Sequence, residues 1–123
     1  MLRSSIAALL LVAAADWSAA DDVAPTERAR IEYLLEAVGS MHDAKFIRNG
    51  KAYDSAAAVS HLRTKLRAAG PRVRTAEDFI RYCASQSSIT GIAYEIRFAD
   101  GHVVASADFL REKLLEFDAD SVH

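Results

Sequence analysis

Lys45-Phe46-Ile47-Arg48-Asn49-Gly50-Lys51-Ala52-Tyr53 reads as a β-hairpin, and that reading decides the fold class. Asn-Gly accepts the two positive φ angles of a type I′ turn, and the flanking residues alternate as strands do. A two-residue turn at Asn49 and Gly50 sets the register. Phe46 then faces Tyr53 as an aromatic cross-strand pair, and Arg48 faces Lys51. A second hairpin follows downstream: Tyr94, Ile96 and Phe98 alternate with Glu95 and Arg97, Asp100-Gly101 turns the chain, and His102-Val103-Val104 returns. Strands that arrive as local hairpins, not as βαβ crossovers, predict an α+β fold.

Helical patterns surround both hairpins. A first helix begins at Pro25 or Thr26, with Glu27 in its first turn and Ile31, Leu34, Leu35 and Val38 as one apolar stripe. Gly39 and Ser40 end it. Asp54 or Ser55 caps a second helix whose core edge is Val59, Leu62, Leu66 and Ala69, and Gly70-Pro71 stops it. Thr75 caps a third, with Asp78 three residues on as in a capping box, and Phe79, Ile80 and Cys83 share its apolar face. Ser106 caps the last, with Leu110, Leu114 and Phe117 inward. The order is α-β-β-α-α-β-β-α. The unit of hairpin, polar cap and helix occurs twice, with helices reading HLRTKL (His61 to Leu66) and FLREKL (Phe109 to Leu114). If the units are related, their hairpins pair into one antiparallel sheet; chance likeness between amphipathic helices is the alternative.

The N-terminus carries a different signal. Arg3 supplies a positive start, Ile6 to Ala15 is an uncharged apolar run, and Ser18-Ala19-Ala20 offers small residues for a signal peptidase. This predicts a signal peptide over 1–20, cleaved after Ala20 or alternatively after Ala15. The run is about half the length that spans a bilayer, so no stable membrane insertion is expected after cleavage. Residues 21–123 are then one α+β domain, with a short loose leader over Asp21 to Ala24 and a loose tail from Asp118. A net charge of −2 without a basic stripe disfavours nucleic acid. Cys83 is the only cysteine, so no intramolecular disulfide is expected in the oxidising periplasm.

No catalytic or cofactor signature stands out. HExxH, paired cysteines and His-x-His are absent, so neither metal nor cofactor is expected. His61, at the edge of the second apolar stripe, is either a packed boundary histidine or a site residue. Cys83 on a buried helix face is expected to be inert. The basic set Arg63, Lys65, Arg67, Arg72 and Arg74 either offsets a helix dipole or forms an anion-binding edge. Arg48 and Lys51 repel mildly as a direct pair, a strain that a partner's carboxylate would relieve.

The polar loop Gln86 to Tyr94 (QSSITGIAY) is the strongest site candidate. It is either a well-hydrogen-bonded connection in which Gly91 supplies an unusual φ, or a binding loop on rigid supports. The candidate binding residues are Ser87, Ser88, Thr90, Gly91 and Tyr94, with Arg48 and His61 as neighbours. Asn49, Gly50, Thr75, Asp78 and Cys83 have structural roles. A hydrolase built from Ser87 or Ser88 with His61 is the competing class, although no GxSxG elbow is present.

Four ordered blocks carry a resemblance over most of the chain: FIRNGKAY (Phe46 to Tyr53), AAxxHLRTKL (Ala57 to Leu66), TAEDFI (Thr75 to Ile80) and ASQSSITGIAY (Ala84 to Tyr94). Together they resemble DUF5329, a bacterial family of small exported proteins of unknown function. The resemblance implies export and fold more than activity. It also implies two cysteines, one before the first strand and one ending the third, where this chain has Ala44 and Phe98. The family's Ser-Gly-Lys-Pro-Tyr run stands here as Thr90-Gly91-Ile92-Ala93-Tyr94. Thr90-Gly91-x-x-Tyr94 is also similar to the SGxxY element of periplasmic lysozyme inhibitors. The expectation is a periplasmic, non-catalytic binding module whose partner is an unidentified protein or cell-envelope component.

Overall fold

The computed structural model describes residues 23–121; the expected signal peptide lies outside the described residues. Its elements are α1 (Pro25–Gly39), β1 (Lys45–Arg48), β2 (Lys51–Tyr53), α2 (Ser55–Ala69), α3 (Ala76–Cys83), β3 (Glu95–Arg97), β4 (Val103–Ala105) and α4 (Ser106–Ser121). One 3-10 turn, Gly70–Arg72, follows α2. The order is the α-β-β-α-α-β-β-α read from the sequence.

Local chemistry explains the boundaries. Pro25 occupies the first turn of α1, where its missing N–H costs nothing. Asp54 caps α2, its Oδ1 accepting from the Ala57 amide at 2.9 Å. Thr75 caps α3, its Oγ1 accepting from the Asp78 amide at 3.0 Å. Asp78 does not complete a reciprocal capping box, because its Oδ2 accepts from the Arg74 amide at 3.0 Å, one residue upstream of the cap. Asn49 (φ 53°) and Gly50 (φ 79°) take the two positive φ angles of the first turn. The second turn spans Phe98 to Gly101, closed by the Gly101 amide donating to the Phe98 carbonyl at 2.8 Å.

Four strands form one antiparallel sheet in the order β2-β1-β3-β4. Phe46 pairs with Tyr53 on one side and with Ile96 on the other, and Ile96 pairs with Val104. The leading strands of the two hairpins thus meet at the centre, and their returning strands form the edges. The two hairpins pair into one antiparallel sheet, as expected if the two hairpin–helix units are related.

The core lies among the helices. α1 packs against α2, α3 and α4, and Ile31, Leu34, Leu35 and Val38 are buried. Leu62 and Leu66 of α2, Phe79, Ile80 and Cys83 of α3, and Leu110 and Leu114 of α4 complete it, with Phe46 packed on from the sheet. In α2 the buried stripe runs through Ser55 and Ala58; Val59 and Ala69 are only partly buried. The small side chains of Ala57, Ala58 and Ser60 line a pocket between α2 and the sheet.

Both ends are better held than their polarity suggests. Val23 is buried, unlike the loose leader expected around it. The helix continues past Asp118 to Ser121 because Arg30 ties it down, donating to Asp118 at 2.9 and 3.1 Å and to Glu27 at 2.8 and 3.0 Å. Glu27 also accepts from the Ala76 amide at 2.8 Å, so the Glu27–Arg30 pair joins α1, α3 and α4.

One residue beyond the Lys45–Arg97 pair, Ala44 and Phe98 continue the β1–β3 register. Opposed residues in an antiparallel ladder have Cα atoms about 4.5–5.5 Å apart, within disulfide range. The double variant Ala44→Cys/Phe98→Cys should therefore cross-link under oxidising conditions. Its oxidised form should exceed its own reduced form in stability by about 2–4 kcal/mol, read by denaturant titration. Three free thiols after oxidation, the native Cys83 among them, would refute the register.

Candidate functional site

The 84–94 loop leaves the buried end of α3 and returns as β3. Ser87 anchors it: its side chain is 4% exposed, and its Oγ accepts from the Ile89 amide (3.2 Å), the Thr90 amide (3.3 Å) and Asn49 Nδ2 (3.3 Å). Thr90 Oγ1 donates to Asn49 Oδ1 at 2.6 Å and accepts from the Ile92 amide at 3.2 Å. Backbone bonds from Ser87 to Ile92, Gly91 to Ser87 and Tyr94 to Ser85 close the turn, and Gly91 takes φ 77°. The Asn49 amide is thus both a turn residue of the first hairpin and a brace for a loop 38 residues away.

Wiring of this kind sorts the expected site residues. Ser87 and Thr90 spend their hydroxyls on the loop itself. Ser88 and Gly91 are exposed at its crown. Between them stand two apolar side chains that polarity-based reasoning passed over: Ile89, 91% exposed, and Ile92, 55% exposed. An isoleucine placed among hydroxyl residues in a loop was the available signal. Tyr94 points the other way, 7% exposed, and belongs to a pocket beneath the loop.

That pocket has a volume of about 260 Å³ and lies between the N-terminal half of α2 and the sheet. Phe46, Tyr53, Ala58 and Leu62 form apolar walls, with Arg48, His61 and Tyr94 as polar groups and Glu95 at its margin. His61 Nε2 lies 3.1 Å from Tyr94 Oη, with the rings edge to face. Lys65, one turn along α2, donates to the same Oη at 3.2 Å and to the Gln86 carbonyl at 3.2 Å. Arg48 Nη2 donates to Tyr53 Oη at 3.1 Å, and its guanidinium lies 5.0 Å from the Tyr53 ring centroid. The structure therefore joins Arg48, His61 and Tyr94 in one pocket. It separates them from Ser88 and Gly91. Tyr53 lines the pocket without having been marked as a site residue, and Lys65 touches it only through Tyr94.

Electrostatics follow from this placement. Partial burial holds the His61 pKa below its ordinary value, and the charges of Arg48 and Lys65 add to the effect. Burial pushes the Cys83 thiol up to about 11, so it stays protonated and unreactive. Backbone and ring hydrogen bonds from His102 lower the Asp100 carboxyl, at the far end of the sheet. The basic set of the α2 terminus does not act as one edge: Arg63 pairs with Glu32 at 2.9 Å, Lys65 turns to the loop, and Arg72 lies over Tyr82.

His61 bonds to Tyr94, while Ser87 bonds to Asn49 and the loop amides, so among the described residues the expected Ser87–His61 pair is not hydrogen-bonded. Among the described residues, no three His, Cys, Asp or Glu side chains converge as metal ligands would. No described helix is long and apolar enough to cross a membrane. In the Thr90-Gly91-x-x-Tyr94 element, Thr90 is exposed and hydrogen-bonded to Asn49, and Tyr94 is buried.

Two outcomes test this geometry. Asn49→Gly keeps the turn conformation but deletes the brace; it should cost about 1–2 kcal/mol and speed amide exchange at residues 87–92. His61 should titrate by NMR below its ordinary 6.5. The unfolded chain takes up that proton more readily than the folded one. The stability linked to His61 is therefore fully present above pH 6.5 and declines as pH falls below it. His61→Gln should flatten that part of the denaturation profile.

Comparison with known proteins agrees with the four sequence blocks. Residues 25–118 match the model of DUF5329, described as a family of unknown function. A protein of Salmonella typhimurium strain LT2, described as uncharacterized protein YfeK, is 46% identical over 90 residues, covering 73% of this chain and 72% of that protein. No solved structure matches the chain significantly. From Pro25 to Asp118, α1 through most of α4, this chain belongs to the DUF5329 family of unknown function.

Proposed function

We propose that the protein is an exported, periplasmic binding module of the cell envelope that holds a protein partner through the crown of its 84–94 loop. The observation that carries this reading is Ile89, 91% exposed at the tip of a loop whose Ser87 and Thr90 hydroxyls are committed to internal hydrogen bonds. An exposed isoleucine gains from burial against a partner. A loop already fixed by Ser87, Thr90 and Asn49 pays little further entropy on binding. Ser88, Gly91 and Ile92 flank it on the same crown. Export rests on the N-terminal sequence: Arg3, the apolar run from Ile6 to Ala15, and the small residues Ser18 to Ala20.

The test is affinity capture from periplasmic extract, with the wild type compared with Ile89→Asp. Leu115→Asp, at another exposed apolar position on α4, serves as the control. Partners retained by the wild type and the control should be lost with Ile89→Asp, a weakening of about 1–3 kcal/mol in a follow-up titration. Undiminished capture by Ile89→Asp would remove the loop from recognition.

A further inference from the structure

Among the described residues, Arg30, Arg63 and Arg111 each meet a carboxylate on another element. Arg48 does not. It is half-buried in the wall of the pocket, yet its hydrogen-bond partner is a neutral phenol, Tyr53, through one of five N–H donors. The residue opposite it in the hairpin is Lys51, which adds a like charge. Lys65, also without a carboxylate, stands on the other side at Tyr94. Cationic donors held beside apolar walls lose water without regaining a counter-charge. A ligand that supplies the charge and fills the walls would offset that cost.

We propose that the pocket between α2 and the sheet binds a small carboxylate with an apolar body, the carboxylate on Arg48 and the body against Phe46, Tyr53, Ala58 and Leu62. The planar guanidinium matches a carboxylate with two parallel N–H donors. A singly charged head fits better than a phosphate dianion, because the walls are mostly apolar and Glu95 lies at the margin. A volume of about 260 Å³ suits a short acyl or phenyl group. This site is separate from the loop crown: Ile89 and Ile92 do not line it. Its ligand chemistry has two sources, a free carboxylic acid or the C-terminal residue of a peptide.

Around the head, His61 faces Arg48 from β1 and Tyr94 beside β3, with Lys65 one turn on along α2 and Tyr53 across the pocket. A bound carboxylate reverses the local charge balance. His61 should then titrate at higher pH with ligand than without, a signature that wall packing alone would not produce.

The experiment is calorimetric and NMR titration of the protein with hexanoate and 3-phenylpropionate, their amides, hexyl phosphate, and acetyl-Gly-Phe with a free or amidated C-terminus. The acids should bind at least tenfold more tightly than their amides, shifting resonances of Phe46, Arg48, Tyr53 and His61. Arg48→Gln should weaken the acids tenfold or more. Ala57→Leu, at an exposed helical position that lines the pocket, should block binding while leaving the thermal midpoint in place. Tighter binding of the free peptide than of 3-phenylpropionate assigns the C-terminal source, and the reverse assigns a free acid. The proposal is overturned by equal binding of acid and amide, by tighter binding of hexyl phosphate, by normal binding to Ala57→Leu, or by no pocket shifts at millimolar acid. Since Ile89→Asp leaves this pocket intact, failure of the loop as a recognition surface and failure of the pocket read out separately.

Discussion

The antiparallel pairing of β1 with β3, centred on Phe46 opposite Ile96, is the contact on which the other arrangements depend. Each hairpin is a local structure, specified by its own turn and its own alternation. A lone two-stranded hairpin is marginal in water, whereas four strands with one covered face are not. Joining the leading strands converts two hairpins into one sheet and brings together residues almost fifty positions apart. It sets Arg48 and Tyr94 in the same pocket, and it brings the Asn49 turn within reach of Ser87 and Thr90. A one-residue slip would put Phe46 and Ile96 on opposite faces of the sheet and dissolve both the pocket and the loop brace.

On either side of that junction, polar groups meet contrasting fates. In the loop, hydroxyls and amides are matched to one another, so polarity that resembles a binding surface serves mainly as internal bonding. In the pocket, cations are left with phenols and a carbonyl in place of acids. The helical layer does the opposite, with Glu27 and Arg30 tying α1 to α3 and to the end of α4. A cation taken partly out of water beside apolar walls, without a counter-charge, loses hydration that nothing returns, whereas an exposed pair adds little. The imbalance at Arg48 therefore carries more meaning than the number of ion pairs elsewhere.

Membership of DUF5329 places the fold and its loop within a family but names no reaction. The Ala44 and Phe98 positions, where the resemblance implies cysteines, extend the same β1–β3 junction. A covalent tie there would reinforce the contact that joins the two halves. In this chain Phe98 instead stacks on His102, with ring centroids 4.4 Å apart, and lies against Phe109 of α4. Packing occupies the place of the bridge.

Much was legible locally. Asn49-Gly50 announced its turn, the i, i+3, i+4, i+7 spacing of Ile31 to Val38 announced a buried helix face, and Asp54 and Thr75 announced their caps, because each depends on neighbours a few residues away. The candidate site was legible only in part. Sequence placed Arg48, His61 and Tyr94 on separate elements and singled out the loop, but ranked its residues by polarity. Tertiary structure decided that Ser87 and Thr90 are braces, that Ile89 is the exposed tip, that Tyr53 lines the pocket, and that Lys65 bonds to its Tyr94. The reason is physical. A hydroxyl's role depends on whether a donor or acceptor from a distant segment reaches it, and sheet pairing brings such segments together. Secondary structure was therefore determined by the sequence itself, and the site by which of its segments came to lie side by side.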